Sequence, residues 1–306
     1  MKKIMMLALI VATMTAMSCK GSNENNAGNG DSTAAEQPAA TAQLDQAAWP
    51  WDFPISTGEK LTDGELVLAP YTYYKVAVDN GEDLTNKGLI FYKTNLKTAG
   101  AEKSVVNYKD DYELPNSLII GIPEGVTAKK GDILLTWWQS GSGMKRAIVR
   151  DDSNPAEPLV DYLDMKMDID PESKVNFAEK YGNEQLKPNS FIVLHDGQWE
   201  PGAQLACKDE KGRWLAGTLI KATDDKVLVL GFADKVLVYP RANCRLIPLS
   251  TEGMKPGDAI VGRFVAEYQT GYTVDKVDAE RGRVWVTNSF DKKEILSILD
   301  VTKSLE

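Results

Sequence analysis

The chain is expected to fold as an all-β protein built of about four small barrels in tandem, and three observations lead to that expectation. The phrase PNSLII at residues 115–120 recurs as PNSFIV at 188–193, and a looser copy, ANCRLIPL, runs from 242 to 249. After each copy a glycine opens a new apolar stretch: Gly131 in KKGDILLTWW, Gly202 in EPGAQLACK and Gly257 in KPGDAIVGRF. Between these landmarks the apolar runs are short or alternating and are separated by polar turn residues, which is the pattern of strands and hairpins.

Upstream, LTDGELVLAP supplies an earlier member at Gly64, so the glycines recur at spacings of 67, 71 and 55 residues. Self-similarity of that length marks a repeat architecture. The phrase reads as the closing strand of a module and the glycine as the start of the next. The modules are then 48–125, with an aromatic N-terminal arm, 126–197, 198–250 and 251–306. The arm is WPWDFP, where Trp49, Trp51 and Phe53 alternate as an extended segment docked on the first module or as a sugar-stacking platform. The second module carries two longer insertions, DDSNPAEP and DIDPESKVNFAEKYGNEQ. The third shows the grammar best: AQLACK, RWLAGTLI and KVLVLGF are joined by DEKG and TDD. Some fifty residues in four or five short strands can roll into a small barrel, which removes most exposed edges.

On those pieces, the third and fourth modules resemble Tudor-like domains, a Src-homology-3-like barrel family. The order that carries the resemblance is Gly202 and a strand, GRWLAGTLIKA, DDKVLVLGFAD and RANCRLIPL, repeated as KPGDAIVGRF, TGYTVDKVD, RGRVWVTNSFD and EILSILDV. Members that bind methylated cations do so in an aromatic cage, by cation–π attraction. The resemblance places such a cage on Phe264, Tyr272 and Phe290 of the fourth module, with Asn288 or Asp291 as polar companion. Trp138 and Tyr162 are the partial equivalent on the second module, and Trp214 and Phe232 on the third. The same aromatics also read, and more simply, as core or inter-module packing.

The N-terminus, MKKIMMLALIVATMTAMSC, has two lysines, an apolar run and small residues before Cys19, the pattern of an export signal too short to span a membrane. Ala16-Met17-Ser18-Cys19 resembles the lipobox of bacterial lipoproteins, which implies cleavage after residue 18 and a lipid on Cys19; an ordinary signal cleaved nearby is the alternative. Residues 19–47 have the composition of a flexible tether, which as a coil spans on the order of 30 Å. The expected location is the cell envelope, at the periplasmic face or the cell surface. A formal net charge of −9 argues against a nucleic-acid partner.

No catalytic constellation emerges. The single histidine, His195, stands in HDG and reads as a solvated turn. GSG at 141–143 lacks the setting of a nucleophile elbow. The acid pairs Asp110-Asp111, Asp151-Asp152 and Asp224-Asp225 sit at hairpin ends. Asp168, Asp170 and Glu172 alternate like calcium ligands without the glycine and distal glutamate such a loop needs. Cys207 and Cys244 lie on the expected core face of the third module, either as a disulfide or as two packed thiols. No metal or other cofactor is expected.

These readings converge on a membrane-anchored, non-enzymatic protein that recognises a peptide, protein or glycan through barrel surfaces or inter-module grooves. One alternative is a cell-envelope hydrolase using carboxylates from different modules, and a second is a structural spacer.

Overall fold

The computed structural model describes residues 60–70, 87–141, 143–165 and 183–306, together with Phe53, Tyr74, Val76, Ala77 and Asn80. The export signal, Cys19, the tether, Trp49, Trp51, Ser142 and the insertion holding Asp168, Asp170 and Glu172 lie outside the described residues.

The described residues form twenty β-strands that divide evenly into four units. The first holds β1 (Leu66–Pro70), β2 (Phe91–Thr98), β3 (Lys103–Asn107), β4 (Asp111–Pro115) and β5 (Ile120–Gly121). The second holds β6 (Ile133–Trp137), β7 (Met144–Asp151), β8 (Leu159–Tyr162), β9 (Asn183–Gln185) and β10 (Ile192–Leu194). The third holds β11 (Gln204–Lys208), β12 (Trp214–Ala222), β13 (Lys226–Leu230), β14 (Val236–Pro240) and β15 (Cys244–Leu246). The fourth holds β16 (Ala259–Phe264), β17 (Glu267–Asp278), β18 (Arg283–Thr287), β19 (Lys293–Ser297) and β20 (Val301–Thr302).

Within every unit the first four strands form an antiparallel meander, and the fifth returns to pair with the first: β5 with β1, β10 with β6, β15 with β11, β20 with β16. The protein is therefore all-β, with small barrel-like units whose sheets are rolled but not closed. The repeated phrase does two jobs. Its polar half makes a tight turn, as a 3-10 turn at Asn116–Leu118 or through the left-handed Asn189 (φ 54°), and its apolar half supplies the closing strand.

The four recurrent glycines explain why the units start alike. Each is the third residue of a β-turn closed by a backbone hydrogen bond, from Glu65 to Thr62, Asp132 to Lys129, Ala203 to Glu200 and Asp258 to Lys255. Gly64, Gly131, Gly202 and Gly257 have φ of 83°, 92°, 95° and 91°, the conformation a type II turn requires at that position, and Pro201 and Pro256 precede two of them. Each glycine N–H then donates to a carbonyl on the unit's second strand: Leu96, Val149, Leu219 and Val274, at 2.7–2.9 Å. Those same four residues are buried and donate back to the residue after the glycine. Immediately past each of them the second strand carries a bulge. A bulge at one fixed place bends the long strand over its own sheet, which lets the fifth strand reach the first.

The units do not pack as separate beads. Leu134, Val149, Tyr162 and Phe191 form the interior of the second unit, Leu205, Leu219, Val227 and Tyr239 that of the third, and Ile260, Tyr272, Val274 and Val284 that of the fourth. The interior of the first unit, with Val67, Leu96 and Leu114, runs on into Ile133, Leu135 and Ile148 of the second, Ile220, Leu228 and Val236 of the third and Ile298 and Leu299 of the fourth. β6 shows how one strand serves both sets: its neighbours alternate faces, Leu134 inward and Ile133 and Leu135 into the shared cluster. β12 also pairs with β17, through Trp214–Tyr268 and Leu215–Glu267, so the third and fourth units share a ten-stranded sheet.

A Cβ placed on Gly131 or Gly257 meets nothing within 4 Å, so substitution there tests conformation alone. Gly131→Ala and Gly257→Ala are each expected to lower stability by about 1–2 kcal/mol, the cost of a left-handed L-residue. Urea unfolding should show a lower midpoint at unchanged slope.

Candidate functional site

Two neighbouring grooves open where the second, third and fourth units meet. The smaller, of about 270 Å³, is bordered by Lys145 and Arg146 on β7, Gln204 on β11, Phe232 and Asp234 after β13, and the β16–β17 turn. The larger, of about 490 Å³, runs between Leu163–Met165 of the second unit and Phe264, Arg283 and β19 of the fourth. Arg263, Asp164 and Val265 border both.

The floor is a chain of buried polar groups. Arg146, 4% exposed, donates from Nε and Nη2 to the two oxygens of Asp164 at 3.1 and 2.5 Å, and from Nη1 to Gln204 Oε1 at 2.6 Å. Gln204 Nε2 donates to the Tyr268 hydroxyl at 3.0 Å, which donates to the Leu299 carbonyl at 2.7 Å. Arg263 pairs with Asp300 at 2.6 Å, and Arg283 donates to the carbonyls of Tyr162 and Leu163 at 2.6 and 3.2 Å. Side chains from three units are thus tied into one network.

The two acids of this network are driven apart. Burial opposes ionisation of Asp164, but the charge and hydrogen bonds of Arg146 overcome it and hold Asp164 down to about 2. Burial pushes Asp300 up; Arg263 pulls it back, and the nearby Asp164 charge adds to the push. Burial likewise raises the Tyr268 hydroxyl, which stays protonated and able to donate.

Around this floor stand exposed apolar side chains on strained backbone. Phe232, Phe264 and Val265 are 63%, 53% and 61% exposed. Val265 occupies the first central position of a two-residue hairpin turn with φ 56°, a place that favours glycine and penalises a β-branched residue. Ala233 and Asp234, both at φ 57°, follow Phe232. Three left-handed non-glycine residues at one groove mouth are the kind of stored strain that clusters at functional sites.

The sequence-derived cage residues fall in different places. Phe264 borders the larger groove. Tyr272 is 4% exposed and belongs to the core of the fourth unit, with its ring against Gly262. The Asn288 side chain holds its own turn, accepting from the Phe290 and Lys292 N–H groups and donating to Glu294. Phe290 is 80% exposed beside the left-handed Asp291. On the second unit Tyr162 is buried, donating to Glu184 at 2.7 Å, and Trp138 is half-buried over Gly141. On the third, Trp214 already carries two internal cations, Lys208 and Arg245, at 5.3 and 5.8 Å, while Phe232 reaches the smaller groove.

His195 is exposed beside Glu200, and the acid pairs cap turns, as where Asp152 accepts from Lys130 N–H. Among the described residues no group of three or more His, Cys, Asp or Glu side chains could hold a metal. Sequence reasoning missed Arg146, Asp164, Arg263 and Asp300. A signal existed for Arg146, a charge among the apolar positions of KRAIVR, but its partners come from distant segments. No family model matches the chain, and a search among curated proteins found no match.

Asp164→Asn leaves the buried Arg146 guanidinium without its counter-charge and is expected to cost about 3–5 kcal/mol, read from chemical denaturation at pH 7. A carboxylate depressed in the fold contributes stability that is present above its ordinary value of 3.8 and is lost as pH falls from there toward about 2. Acid titration of wild type should show that loss, and Asp164→Asn should lack it.

Proposed function

We propose that the protein is a non-enzymatic binding protein anchored in the cell envelope through Cys19, and that the paired grooves receive a peptide, protein or glycan segment. The observation that carries this reading is that Phe232 at the smaller groove, Phe264 at the larger and Val265 at both are all exposed, on or next to strained backbone, around a shared polar floor. A rigid floor with protruding apolar tips suits a ligand that presents both apolar contact and hydrogen-bonding groups, as such segments do. The anchor and tether would set the cleft away from the membrane.

A second reading, a hydrolase with carboxylates from separate units, has one observation in its favour: Asp164 and Asp300 line the same groove with their acidities displaced in opposite directions. Each of these acids, however, is paired with its own arginine, Asp164 through both oxygens and Asp300 through Oδ1, which commits them to internal contacts.

Thermal unfolding of the full-length chain against envelope peptides, glycans and methylated amines tests both. A ligand at a hundred times its Kd adds about 2.7 kcal/mol of stability. The expected result is a stabilisation that Phe232→Ser and Phe264→Ser abolish while leaving the unliganded protein within about 0.5 kcal/mol of wild type. Retention of the shift in both variants and its loss in Phe290→Ala would move the site to the β18–β19 loop. Conversion of a glycan or peptide, lost in Asp300→Asn, would support the hydrolase.

A further inference from the structure

We propose that Cys207 and Cys244 form an intramolecular disulfide that covalently closes the third unit. The two residues face each other directly across β11 and β15. Ile247 N–H donates to the Gln204 carbonyl, which makes 204/247 a hydrogen-bonded pair; alternation along the ladder then makes 207/244 a non-hydrogen-bonded one. At such positions opposed Cα atoms approach to about 4.5 Å and side chains lean together, within the reach of a disulfide. Both thiols enter the same core, 1% and 2% exposed, and their sulfurs lie 3.0 Å apart.

The same burial says when the bond must form. Desolvation, reinforced by the neighbouring thiol, pushes Cys207 well above its ordinary range, so in the folded protein Cys207 offers almost no thiolate, and both sulfurs are shielded from an oxidant in solution. Oxidation therefore belongs to the folding chain. One cysteine thiolate attacks a disulfide donor, such as oxidised glutathione or a dithiol oxidase, and expels one donor thiolate to leave a mixed disulfide. The second cysteine attacks that bond, forming Cys207–Cys244 and expelling the second donor thiolate. Two electrons pass to the donor, whose two thiolates take up the two protons lost by the cysteines and leave as thiols. The bond closes a loop holding β12, β13 and β14, and it fixes β11, whose Gln204 bridges Arg146 and Tyr268 under the grooves.

The test refolds the reduced, denatured full-length chain with oxidised glutathione, alkylates remaining thiols after denaturation and maps the peptides by mass. A Cys207–Cys244 linked peptide, two hydrogens lighter than its parts, is expected, with Cys19 alkylated. The linked protein should melt higher than its reduced form by on the order of 5 °C, and this difference should vanish in Cys207→Ala. Native reduced protein given the same oxidant without denaturation should link far more slowly. Free Cys207 and Cys244 after refolding, or either one joined to Cys19 or to glutathione in their place, would overturn the proposal. The same mapping on cells alkylated at lysis separates this proposal from the export reading: linkage in vitro with free thiols in cells leaves the pairing standing and removes the oxidising envelope.

Discussion

A sheet of five short strands has two faces, and a unit of some fifty residues can cover only the inner one by rolling up. The outer face must find another surface or stay wet. Everything about the arrangement of this chain follows from how that outer face is treated. Leu134 turns inward, whereas Ile133 and Leu135 on either side of it enter the shared cluster, so β6 is buried on both faces. β12 and β13 of the third unit contribute in the same way through Ile220 and Leu228. The first unit acts as the common floor, its interior continuous with apolar residues from all three others.

Packing several sheets on one floor brings their strand ends together, and strand ends carry polar groups that cannot all reach water. At the junction of the second, third and fourth units this conflict is met by a chain of bonds from Asp164 through Arg146, Gln204 and Tyr268 to the Leu299 carbonyl. A buried ion pair of this sort gives little net stability compared with an apolar packing of equal volume, because both charges lose hydration. It does give directionality. Each bond is satisfied in one relative placement of three units, whereas apolar faces could slide. The grooves sit over this network because its charges keep partial access to solvent, Asp164 and Asp300 side chains remaining 22% and 16% exposed.

The repeat was legible because it is written in local terms. A glycine that must be left-handed, a proline before it in two copies, and an apolar residue that receives its hydrogen bond all lie on one unit, and such signals survive in a linear string. The all-β class followed from the same grammar. The site was only half legible. Phe232 and Phe264 are picked out only as cage positions of the Tudor-like resemblance, and that resemblance does not distinguish them from Tyr272, whose ring the fold turns into the core. Arg146, Asp164, Arg263 and Asp300 were invisible as a group, since each pair closes across a fold-back within its own unit and the two pairs come to border the neighbouring grooves only through packing between units.

The strained turns bear on whether the apolar tips are residue left over from packing or a surface kept for contact. An exposed phenylalanine in isolation needs no explanation, and Phe290, on a hairpin loop whose Asn288 satisfies the surrounding backbone, is of that kind. Phe290 also has a left-handed neighbour in Asp291, so what sets Phe232, Phe264 and Val265 apart is that they border the two grooves, beside backbone held where ordinary side chains resist going. Val265 could be glycine, which would relieve its turn and remove an exposed apolar group at once, and Ala233 and Asp234 are two consecutive left-handed residues where a glycine would serve as well. Stability alone favours glycine at each of these places and a polar side chain at each exposed tip. A chain that keeps left-handed Ala233, Asp234 and Val265 beside exposed Phe232 and Phe264 at these two grooves accepts a folding cost there, and the proposed contact with a ligand is a gain that would offset it.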